Sequence, residues 1–562
     1  MKVQHFSAWY KRSSQEPLRR LAAMIFVALF LLALSAPGAL AQGFKVTELN
    51  VPGNTTGTFP FDVNASGTVV GRYVNPSGNN IGFLYSGGKY TDLNPPGTNN
   101  FSRANGINDS GTVVGDFYGN DGLYHGYIYS GSAYTQYDVN GSSTSLFGIN
   151  KAGDLVGGTV PQGQQNLYEG FIDVGGSRTM FYGSGTYTTY AYGINSSHEV
   201  VGAYIDQNNI SHGFYRDASG TITEIAYPGA TQTGCFGIND AGEITGYYID
   251  SAGDPHGFVD TKGKFEPTDF PFTGKLNKNG AYTGYYYGFD FTTPGYVATP
   301  TTFTLTKVAV PKSQQASLNG VNNAGVSVGT YVAKSGKTHG MMISGGVVTN
   351  VDDPKGVTTT CFAINSTNQI VGAYFDSSGN PHGFLFNGKK FKDIPGPSGA
   401  LSSEATGIND AGVISGEYYD ASGNNHGFIL KGTKYTTLDA PGAVATFAWG
   451  INSAGEVTVQ WVDSQGFLQS SLYNGKKYSA TNVPGAAFTR AYSINTGGDI
   501  VFSWLDWYGN EHAAMKKGKT YFIFDYPKSS GTGAEGINDS DVFVGQFTPA
   551  GKTVPQPYQG TL

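Results

Sequence analysis

The sequence predicts an all-β fold made from one four-stranded unit that recurs along the chain. The first observation is composition, because the 562 residues include 82 Gly, 37 Tyr and 35 Phe. Aromatic residues suit a pleated, half-buried surface, while Gly and Asn supply turns. The second observation is a phrase that occurs as "GINDAGVISGEYYDASGNNHGF" at 407–428 and as "GINDAGEITGYYIDSAGDPHGF" at 237–258. The third is the regular spacing of this phrase.

The Asn of "GIN", here called the anchor, recurs in twelve copies separated by 38 to 45 residues. This period fits one four-stranded β-propeller blade of about 40 to 45 residues. The copies are numbered 1 to 12 by their anchors, which are Asn64, Asn108, Asn150, Asn195, Asn239, Asn277, Asn322, Asn365, Asn409, Asn452, Asn495 and Asn538.

Each copy divides into four short strands by alternation and turn chemistry. In copy 9 these are "EATGI", "VISGEYY", "HGFIL" and "KYTTLD". The anchor and a Gly three residues later predict a tight turn whose last residue has a positive φ. Three copies lack this Gly and have residues that tolerate positive φ, namely His198, Asn368 and Asp541.

A second turn begins with an Asp eleven residues after the anchor, and a His follows it six residues later. We expect the two side chains to form a hydrogen bond across their hairpin, because buried polar groups need partners. The repeated Asn, Asp and His are therefore interpreted as structural. The positions chosen to represent them are Asn108, Asn239, Asn409, Asp250, Asp376, Asp420, His256, His382 and His426.

Four-stranded meanders that repeat without helices close best as a ring of blades, so the predicted fold is a β-propeller. Propellers usually have four to eight blades, which favours two tandem six-bladed rings, at 42–302 and 303–562. The alternative is one twelve-bladed ring. The segment 44–51 has the pattern of a fourth strand, and we expect it to complete the last blade, which lacks one.

The N-terminal 41 residues have the features of an export signal. Basic residues precede a 14-residue apolar run at 21–34, which is shorter than the ~20 residues of a membrane-spanning helix. Ala39 and Ala41 then form a small-x-small cleavage pattern before Gln42. We expect a secreted protein, extracellular or periplasmic, with no membrane insertion after cleavage. Arg19 and Arg20 leave open whether export follows the general or the twin-arginine route.

The charge balance makes a nucleic-acid partner improbable. The formal net charge is −7, and no basic run follows the predicted signal. The two cysteines, Cys235 and Cys361, each lie four residues before an anchor, where other copies have Ala. We therefore expect buried thiols rather than a disulfide. We also expect a monomer.

The pattern "GIN-x-x-G-x-[IV]-x-G" followed by "H-[GA]-F" resembles the exported HAF-repeat proteins of bacteria. The resemblance extends from about residue 44 to the end, although only the copy at His512, "HAA", carries the Ala of the signature. It implies an extracellular repeat protein of unassigned activity, and it transfers no catalytic residues.

No motif predicts a catalytic site, a metal site or a cofactor. Seven of the nine His occupy one slot in different copies, which spreads them around a ring, whereas a zinc ion needs its ligands at ~2 Å. Loops such as "DSSGN" at 376–380 lack the dense carboxylates of a calcium loop. The "GTGAEG" at 531–536 leads into a first strand, so it is not a dinucleotide site.

Function on a repeat scaffold is expected where copies depart from the consensus. All four Trp outside the signal, Trp449, Trp461, Trp504 and Trp507, fall in copies 10 and 11, where flat rings would stack on a sugar or peptide. Core packing is the competing interpretation for the first three. The predicted function is a non-enzymatic binding or surface-interaction protein with an extracellular glycan or protein ligand.

The alternative function is a propeller hydrolase or lyase that acts on polysaccharide. An enzyme of this kind needs acidic residues from different blades that converge near an axis. Asp116 and Glu417 are off-consensus carboxylates in second strands, and they lie in opposite halves of the chain.

Overall fold

The computed structural model describes residues 39–53, 57–161, 164, 167–183, 188–268, 272–286 and 293–562. All regular structure in these ranges is β-strand, which confirms the all-β prediction. None of the described residues belongs to a helix that is long and apolar enough to cross a membrane. The predicted signal peptide lies outside these ranges except for residues 39–41, which begin the first strand.

The strands up to the middle of the chain belong to copies 1 to 6. They are β1 (Ala39–Leu49), β2 (Thr58–Val63), β3 (Val69–Val74), β4 (Asn80–Ser86), β5 (Lys89–Leu93), β6 (Thr98–Ile107), β7 (Val113–Gly119), β8 (Tyr124–Ser130), β9 (Ala133–Tyr137), β10 (Thr144–Ile149), β11 (Leu155–Thr159), β12 (Glu169–Val174), β13 (Ser177–Phe181), β14 (Thr188–Ile194), β15 (Val200–Ile205), β16 (Ser211–Arg216), β17 (Ile222–Ile225), β18 (Gln232–Ile238), β19 (Glu243–Ile249), β20 (Pro255–Thr261), β21 (Lys264–Pro267), β22 (Phe272–Leu276), β23 (Tyr282–Tyr285) and β24 (Gly295–Lys307).

The remaining strands belong to copies 7 to 12. They are β25 (Ser313–Val321), β26 (Ser327–Ala333), β27 (Thr338–Ser344), β28 (Val347–Asn350), β29 (Thr358–Ile364), β30 (Ile370–Phe375), β31 (Pro381–Phe386), β32 (Phe391–Ile394), β33 (Ser402–Ile408), β34 (Ile414–Tyr419), β35 (Asn425–Lys431), β36 (Lys434–Leu438), β37 (Ala445–Ile451), β38 (Val457–Val462), β39 (Leu468–Tyr473), β40 (Tyr478–Ala480), β41 (Phe488–Ile494), β42 (Ile500–Leu505), β43 (Glu511–Lys517), β44 (Thr520–Phe524), β45 (Ser529–Ile537), β46 (Phe543–Pro549) and β47 (Gln556–Thr561).

Consecutive strands pair antiparallel in groups of four, as the sequence pattern predicts. Copies 3, 4, 5, 7, 8, 9 and 10 each form a separate four-stranded sheet. A single parallel bridge links copy 1 to copy 2, and another links copy 11 to copy 12. The sheets are therefore antiparallel meanders of the kind found in β-propeller blades.

The predicted turn after each anchor is present in every copy. The residue three positions after the anchor has a positive φ in all twelve copies, including His198 at 60°, Asn368 at 60° and Asp541 at 58°. In copy 9 the anchor Asn409 accepts hydrogen bonds at Oδ1 from the N–H groups of Ala411 and Val413, at 3.1 and 3.0 Å. The anchor thus closes its own turn with its side-chain oxygen.

The other side-chain atom of each anchor joins neighbouring copies. Each Nδ2 donates to the backbone carbonyl of the next anchor at 2.9–3.3 Å. The series closes on itself twice, because Asn277 donates to Asn64 and Asn538 donates to Asn322. We call the closed series of copies 1 to 6 the first Asn cycle and that of copies 7 to 12 the second Asn cycle.

The N-terminal strand completes a different sheet from the one expected. β1 pairs with β24 over its whole length, from Ala39 opposite Leu305 to Leu49 opposite Gly295, so it is the fourth strand of copy 6. Copy 12 is instead completed by the end of β24, where Thr304 lies opposite Thr561. The prediction was wrong because the third strand of copy 6 continues directly toward copy 7. Copy 6 therefore has no fourth strand of its own, and the free edge of its third strand pairs with β1.

The continuous strand β24 crosses the predicted domain boundary at 302/303 and belongs to both neighbouring sheets. The free edge of β1 pairs with β44. As a result, β1, β44, β43, β45, β46, β47 and β24 form a closed circuit of backbone pairing.

Hydrophobic cores lie between successive sheets. Cys235 and Cys361 are buried in two of these cores as free thiols, which confirms the expectation from their repeat slot. The largest core joins the two halves of the chain, since Tyr282 and Tyr296 of copy 6 pack with Trp504 of copy 11. Tyr508 extends this contact, because its ring stacks on His256 of copy 5 at 4.1 Å between centroids.

Candidate functional site

The residue two positions before each anchor lies where the first strands of neighbouring copies approach most closely. Eight copies have Gly there, and a Cβ on Gly450 would lie 2.8 Å from the Cα of Ser493 in the next copy. The four exceptions are Asp62, Lys275, Ala363 and Ser493. This slot therefore controls how much space remains inside each Asn cycle.

Inside the first Asn cycle this slot holds a buried charged pair. The Lys275 Nζ donates to the carbonyl of Asn105 at 2.7 Å and to that of Phe147, and it lies 3.9 Å from the Asp62 Oδ2. Burial raises the pKa of Asp62 to about 6, against the opposing effect of Lys275. The cavity left in this first axial channel is about 90 Å³.

Inside the second Asn cycle the position equivalent to Lys275 is Gly536, and the channel is open. Its cavity measures about 250 Å³. In copies 7 to 11 the segment from three residues before the anchor to one residue after it lines this second axial channel, and copy 12 contributes the same positions except Gly536. The residues three before the anchor, which form one level of the wall, are Asn319, Phe362, Thr406, Trp449, Tyr492 and Glu535.

Three of these six residues are aromatic and contact one another. The Trp449 ring meets Tyr492 edge-on at 4.9 Å between centroids, and it meets Phe362 at 5.9 Å. The Trp449 Nε1 is buried and has no hydrogen-bond partner. A buried indole N–H normally finds an acceptor, so this donor is available to a ligand in the channel.

The polar residues at the same level divide into occupied and available groups. Asn319 donates from Nδ2 to the carbonyl of Cys361 at 2.8 Å, and Thr406 donates to the carbonyl of Ala448 at 2.6 Å. Their side chains brace the wall between neighbouring copies. Asn319 and Glu535 both line the cavity, and they add an amide and a carboxyl group to this level of the wall.

Glu535 has an unusual electrostatic environment. Burial, followed by the nearby charge of Glu511, raises its pKa to about 8, while Arg490 opposes the shift. Burial also raises the pKa of Glu511. A pKa of about 8 favours the protonated, uncharged form of Glu535 at neutral pH.

The glycines of "GTGAEG" make room for this cluster. A Cβ on Gly533 would collide with the Ser503 Oγ of β42, and Glu511 lies 3.5 Å from the place of a Cβ on Gly531. Gly533 therefore lets β45 lie close to β42 beside Glu511. The motif lies within β45, and its glycines have a packing role in copy 12.

The four predicted ligand-binding Trp residues do not lie together. Trp449 lines the second axial channel. Trp461 donates from Nε1 to the Ser471 Oγ at 3.1 Å and packs on a core cluster. Trp504 is 1 % exposed in the core between the two halves, and Trp507 is 58 % exposed on the hairpin between β42 and β43.

The repeated Asp and His pair across their hairpins. The His256 and His382 Nε2 atoms each lie 3.1 Å from the Oδ2 of Asp250 and Asp376, and the His426 Nε2 lies 3.4 Å from the Asp420 Oδ2. Several of these rings also contact a second carboxylate through Nδ1, as His426 does with Asp439 at 2.8 Å. Each His in this slot packs against an aromatic ring of the second strand.

Sequence reasoning missed the channel residues Lys275, Asp62 and Glu535. The signal was present, because Lys275 and Asp62 replace a Gly that eight copies share, and Glu535 occupies a slot that is aromatic in seven of the twelve copies. The repeat pattern did not reveal that these two slots face an axis, because a bulge in the first strand changes the alternation there, as between Ala448 and Ile451.

No family model matches the chain, and no curated protein matches it. Among solved structures, the chain is similar to the SapL1 lectin in complex with α-methyl fucoside (13 % identity, TM-score 0.32, 44 % of this chain and 94 % of that chain). It is also similar to the β-propeller domain of the Trilobed protease from Pyrococcus furiosus (8 %, 0.28, 56 % and 91 %) and to a gluconolactonase from Xanthomonas campestris (12 %, 0.28, 46 % and 90 %). At these TM-scores none of the three assigns an activity to this chain.

Proposed function

We propose that the chain forms two six-bladed β-propellers, at 42–302 and 303–562, rather than one twelve-bladed ring. Support comes from the two closed Asn cycles, each of six anchors. The exchange of strands between β1, β24 and β47 ties the two rings together. Electron-microscopy class averages of the mature chain test this arrangement, because two small rings are expected and one large ring would contradict it.

We propose that the protein is a secreted, non-enzymatic binding protein whose ligand is an extracellular glycan held in the second axial channel. The observation that carries this proposal is the cavity of about 250 Å³ with Phe362, Trp449 and Tyr492 on its wall. Sugar rings offer apolar faces to aromatic side chains and hydroxyls to carboxyl and amide groups. The unpartnered Trp449 Nε1 and the Glu535 carboxyl provide such polar groups beside the aromatic rings.

The charge of the channel favours a neutral or amino sugar over an acidic one. Glu535 and Glu511 lie at this site with Arg490 as the opposing charge. An anionic ligand would enter against the carboxylates and would have to be desolvated beside them. We therefore expect hexoses or amino sugars to bind, and uronic acids to be excluded.

The test is a glycan array probed with the mature chain, from residue 42, and with two variants. Trp449→Ala removes the central ring of the channel, and we expect it to lose binding at least tenfold. Trp507→Ala is the matched control, because it removes an exposed Trp away from the channel lining, and it should bind like the parent. Binding that survives Trp449→Ala and is lost in Trp507→Ala would move the site to the outer hairpin.

A polysaccharide hydrolase or lyase is the second candidate, and one observation favours it. Glu511 and Glu535 come from copies 11 and 12, and Glu511 lies close enough to raise the pKa of Glu535. Two carboxyl groups with different ionisation states are what glycoside hydrolysis uses. Turnover of a polysaccharide that is lost in Glu535→Gln, while binding is retained, would establish this function instead.

A further inference from the structure

A second acidic pair lies in copy 9, outside the lining of the second axial channel. Glu404 of β33 and Glu417 of β34 are directly opposite in the sheet register, so their Cβ atoms lie about 4.5–5.5 Å apart on one face. In copy 2 the same two positions hold Arg103 and Asp116, which form an ion pair at 2.5 Å. Copy 9 therefore has the acidic member of that pair twice and the basic member not at all.

Like charges at directly opposite positions destabilise a sheet, so something positive must lie between them. The groups that influence Glu404 and Glu417 include no Lys, Arg or His from the described part of the chain. The Oε2 of Glu417 is buried and has no hydrogen-bond partner there. By contrast, Asp116 accepts hydrogen bonds from Arg103, Asn105 and Ser145.

A third polar side chain points into the same space. Asn425 of β35 lies opposite Tyr419, and it is two residues from Gly427, which lies opposite Glu417. The Asn425 and Glu417 side chains are therefore diagonal neighbours on one face of the sheet. Asn425 is 7 % exposed, and its Oδ1 has no hydrogen-bond partner, while its amide N–H lies close enough to Glu417 to lower the pKa of that carboxyl. A buried amide oxygen without a donor indicates a bound water or ion.

The residue opposite Glu417 on β35 is Gly427, which adds no side chain beside the two carboxyl groups. Its backbone packs closely against copy 10, since a Cβ there would lie 3.2 Å from the Cβ of Ala448. The carboxyl and amide oxygens are of the hard type that calcium prefers.

We propose that Glu404, Glu417 and the Oδ1 of Asn425 bind one divalent cation with the ligand preference of Ca²⁺. Protein ligation by three side chains leaves positions for water or a backbone carbonyl, which the 6–8 coordination of Ca²⁺ accommodates. Extracellular sites of this kind bind Ca²⁺ with dissociation constants of about 10⁻⁴–10⁻³ M. The proposal does not depend on glycan binding in the channel.

Calcium and protons compete for these two opposed carboxyl groups, because a carboxylate binds a cation only when it is deprotonated. The affinity for Ca²⁺ should therefore increase as the pH rises from 6 to 8.

The experiment is calorimetric titration of CaCl₂ into the chelator-treated mature chain at pH 6 and pH 8, together with thermal unfolding. We expect one ion per chain, tighter binding at pH 8, and an increase in Tm with Ca²⁺. Glu417→Gln and Glu404→Gln should each weaken binding at least tenfold while folding normally, because each removes a buried like charge. Glu266→Gln is the control, an exposed carboxyl of copy 5 outside this cluster that should leave Ca²⁺ binding unchanged.

Two results would overturn the proposal. One is the absence of any calcium-dependent heat or Tm change at millimolar Ca²⁺. The other is calcium binding that persists in both Glu404→Gln and Glu417→Gln but is lost in Asp376→Asn, which would place the ion in the hairpin loops.

Discussion

The first and second axial channels are bounded in the same way, each by six first strands and one Asn cycle, but they differ in what fills them. In the first channel the Lys275 ammonium occupies the axis and bonds to two backbone carbonyls. In the second channel the equivalent Gly536 leaves the axis open to Trp449 and Glu535. The repeat therefore specifies the six strands and the Asn cycle around each channel. Single substitutions in the repeat decide whether the channel is filled or open.

The comparison also separates two kinds of buried charge. Lys275 and Asp62 face one another and compensate each other within the first channel. Around the second channel burial raises the pKa of Glu535 and that of Glu511, and Arg490 opposes both shifts. A compensated charged pair suits a structural role, whereas buried carboxyl groups with raised pKa values are typical of a site that binds or reacts.

The largest loss of stability is expected when the Lys275–Asp62 pair in the first axial channel loses one of its charges. Lys275→Met leaves Asp62 buried without its cation, and we expect a loss of about 3–5 kcal/mol in the free energy of unfolding. Chemical denaturation with urea measures this loss. A variant that unfolds at the same urea concentration as the parent would show that the pair contributes nothing to stability.

The control for this prediction restores the consensus at both positions. Asp62→Gly combined with Lys275→Gly removes both charges and returns the slot to the residue found in eight copies. We expect the double variant to recover most of the loss, because no unpaired charge remains. It should also enlarge the first channel, so that the two channels become alike.

Much of the frame was predictable because its causes are local. The spacing of the anchors, the positive φ three residues later and the four-strand pattern follow from turn chemistry and alternation within about 45 residues. The strand exchange of β1 and β24 was not predictable, because any fourth strand fits any open edge. Which edge is free depends on how copy 6 continues into copy 7.

The candidate site was less predictable than the fold. Trp449 was identified as an off-consensus aromatic residue, but nothing in its slot distinguished an axial position from the core. Glu404 and Glu417 meet only because β33 and β34 pair in one particular register. The sequence interpretation considered Glu417 together with Asp116 in the other half of the chain. Its actual neighbour is Glu404, thirteen residues earlier in the same copy.

An intermediate loss of stability is expected at the Asn cycles, which surround both channels. Asn239→Ala in the first Asn cycle and Asn409→Ala in the second each remove the bond donated to the next anchor and two accepted hydrogen bonds. Asn239→Ala also removes a bond donated to the Glu243 Oε2. We expect both variants to lose about 2–3 kcal/mol in the free energy of unfolding, measured by urea denaturation. Asn424→Ala, which removes an exposed amide in the same copy as Asn409, should cost almost nothing. A larger loss at position 409 than at position 239 would mean that the two Asn cycles differ in stability.

The smallest loss of stability is expected at the hairpins between second and third strands, where both halves of the chain have the same Asp and His pairs. Burial lowers the pKa of His426, but its hydrogen bonds to Asp439 and Asp420 raise it above the ordinary value of 6.5 overall. Because the folded-state pKa is raised, the pair stabilises the protein fully below pH 6.5, and this contribution disappears as the pH rises through the folded-state value. His426→Gln should therefore cost at most about 1 kcal/mol at pH 5.5 and less at pH 8.5. His382→Gln should cost a similar amount, and neither variant should change glycan binding. A loss of binding without a loss of stability in these variants would mean that these hairpin histidines, rather than the second axial channel, contact the ligand.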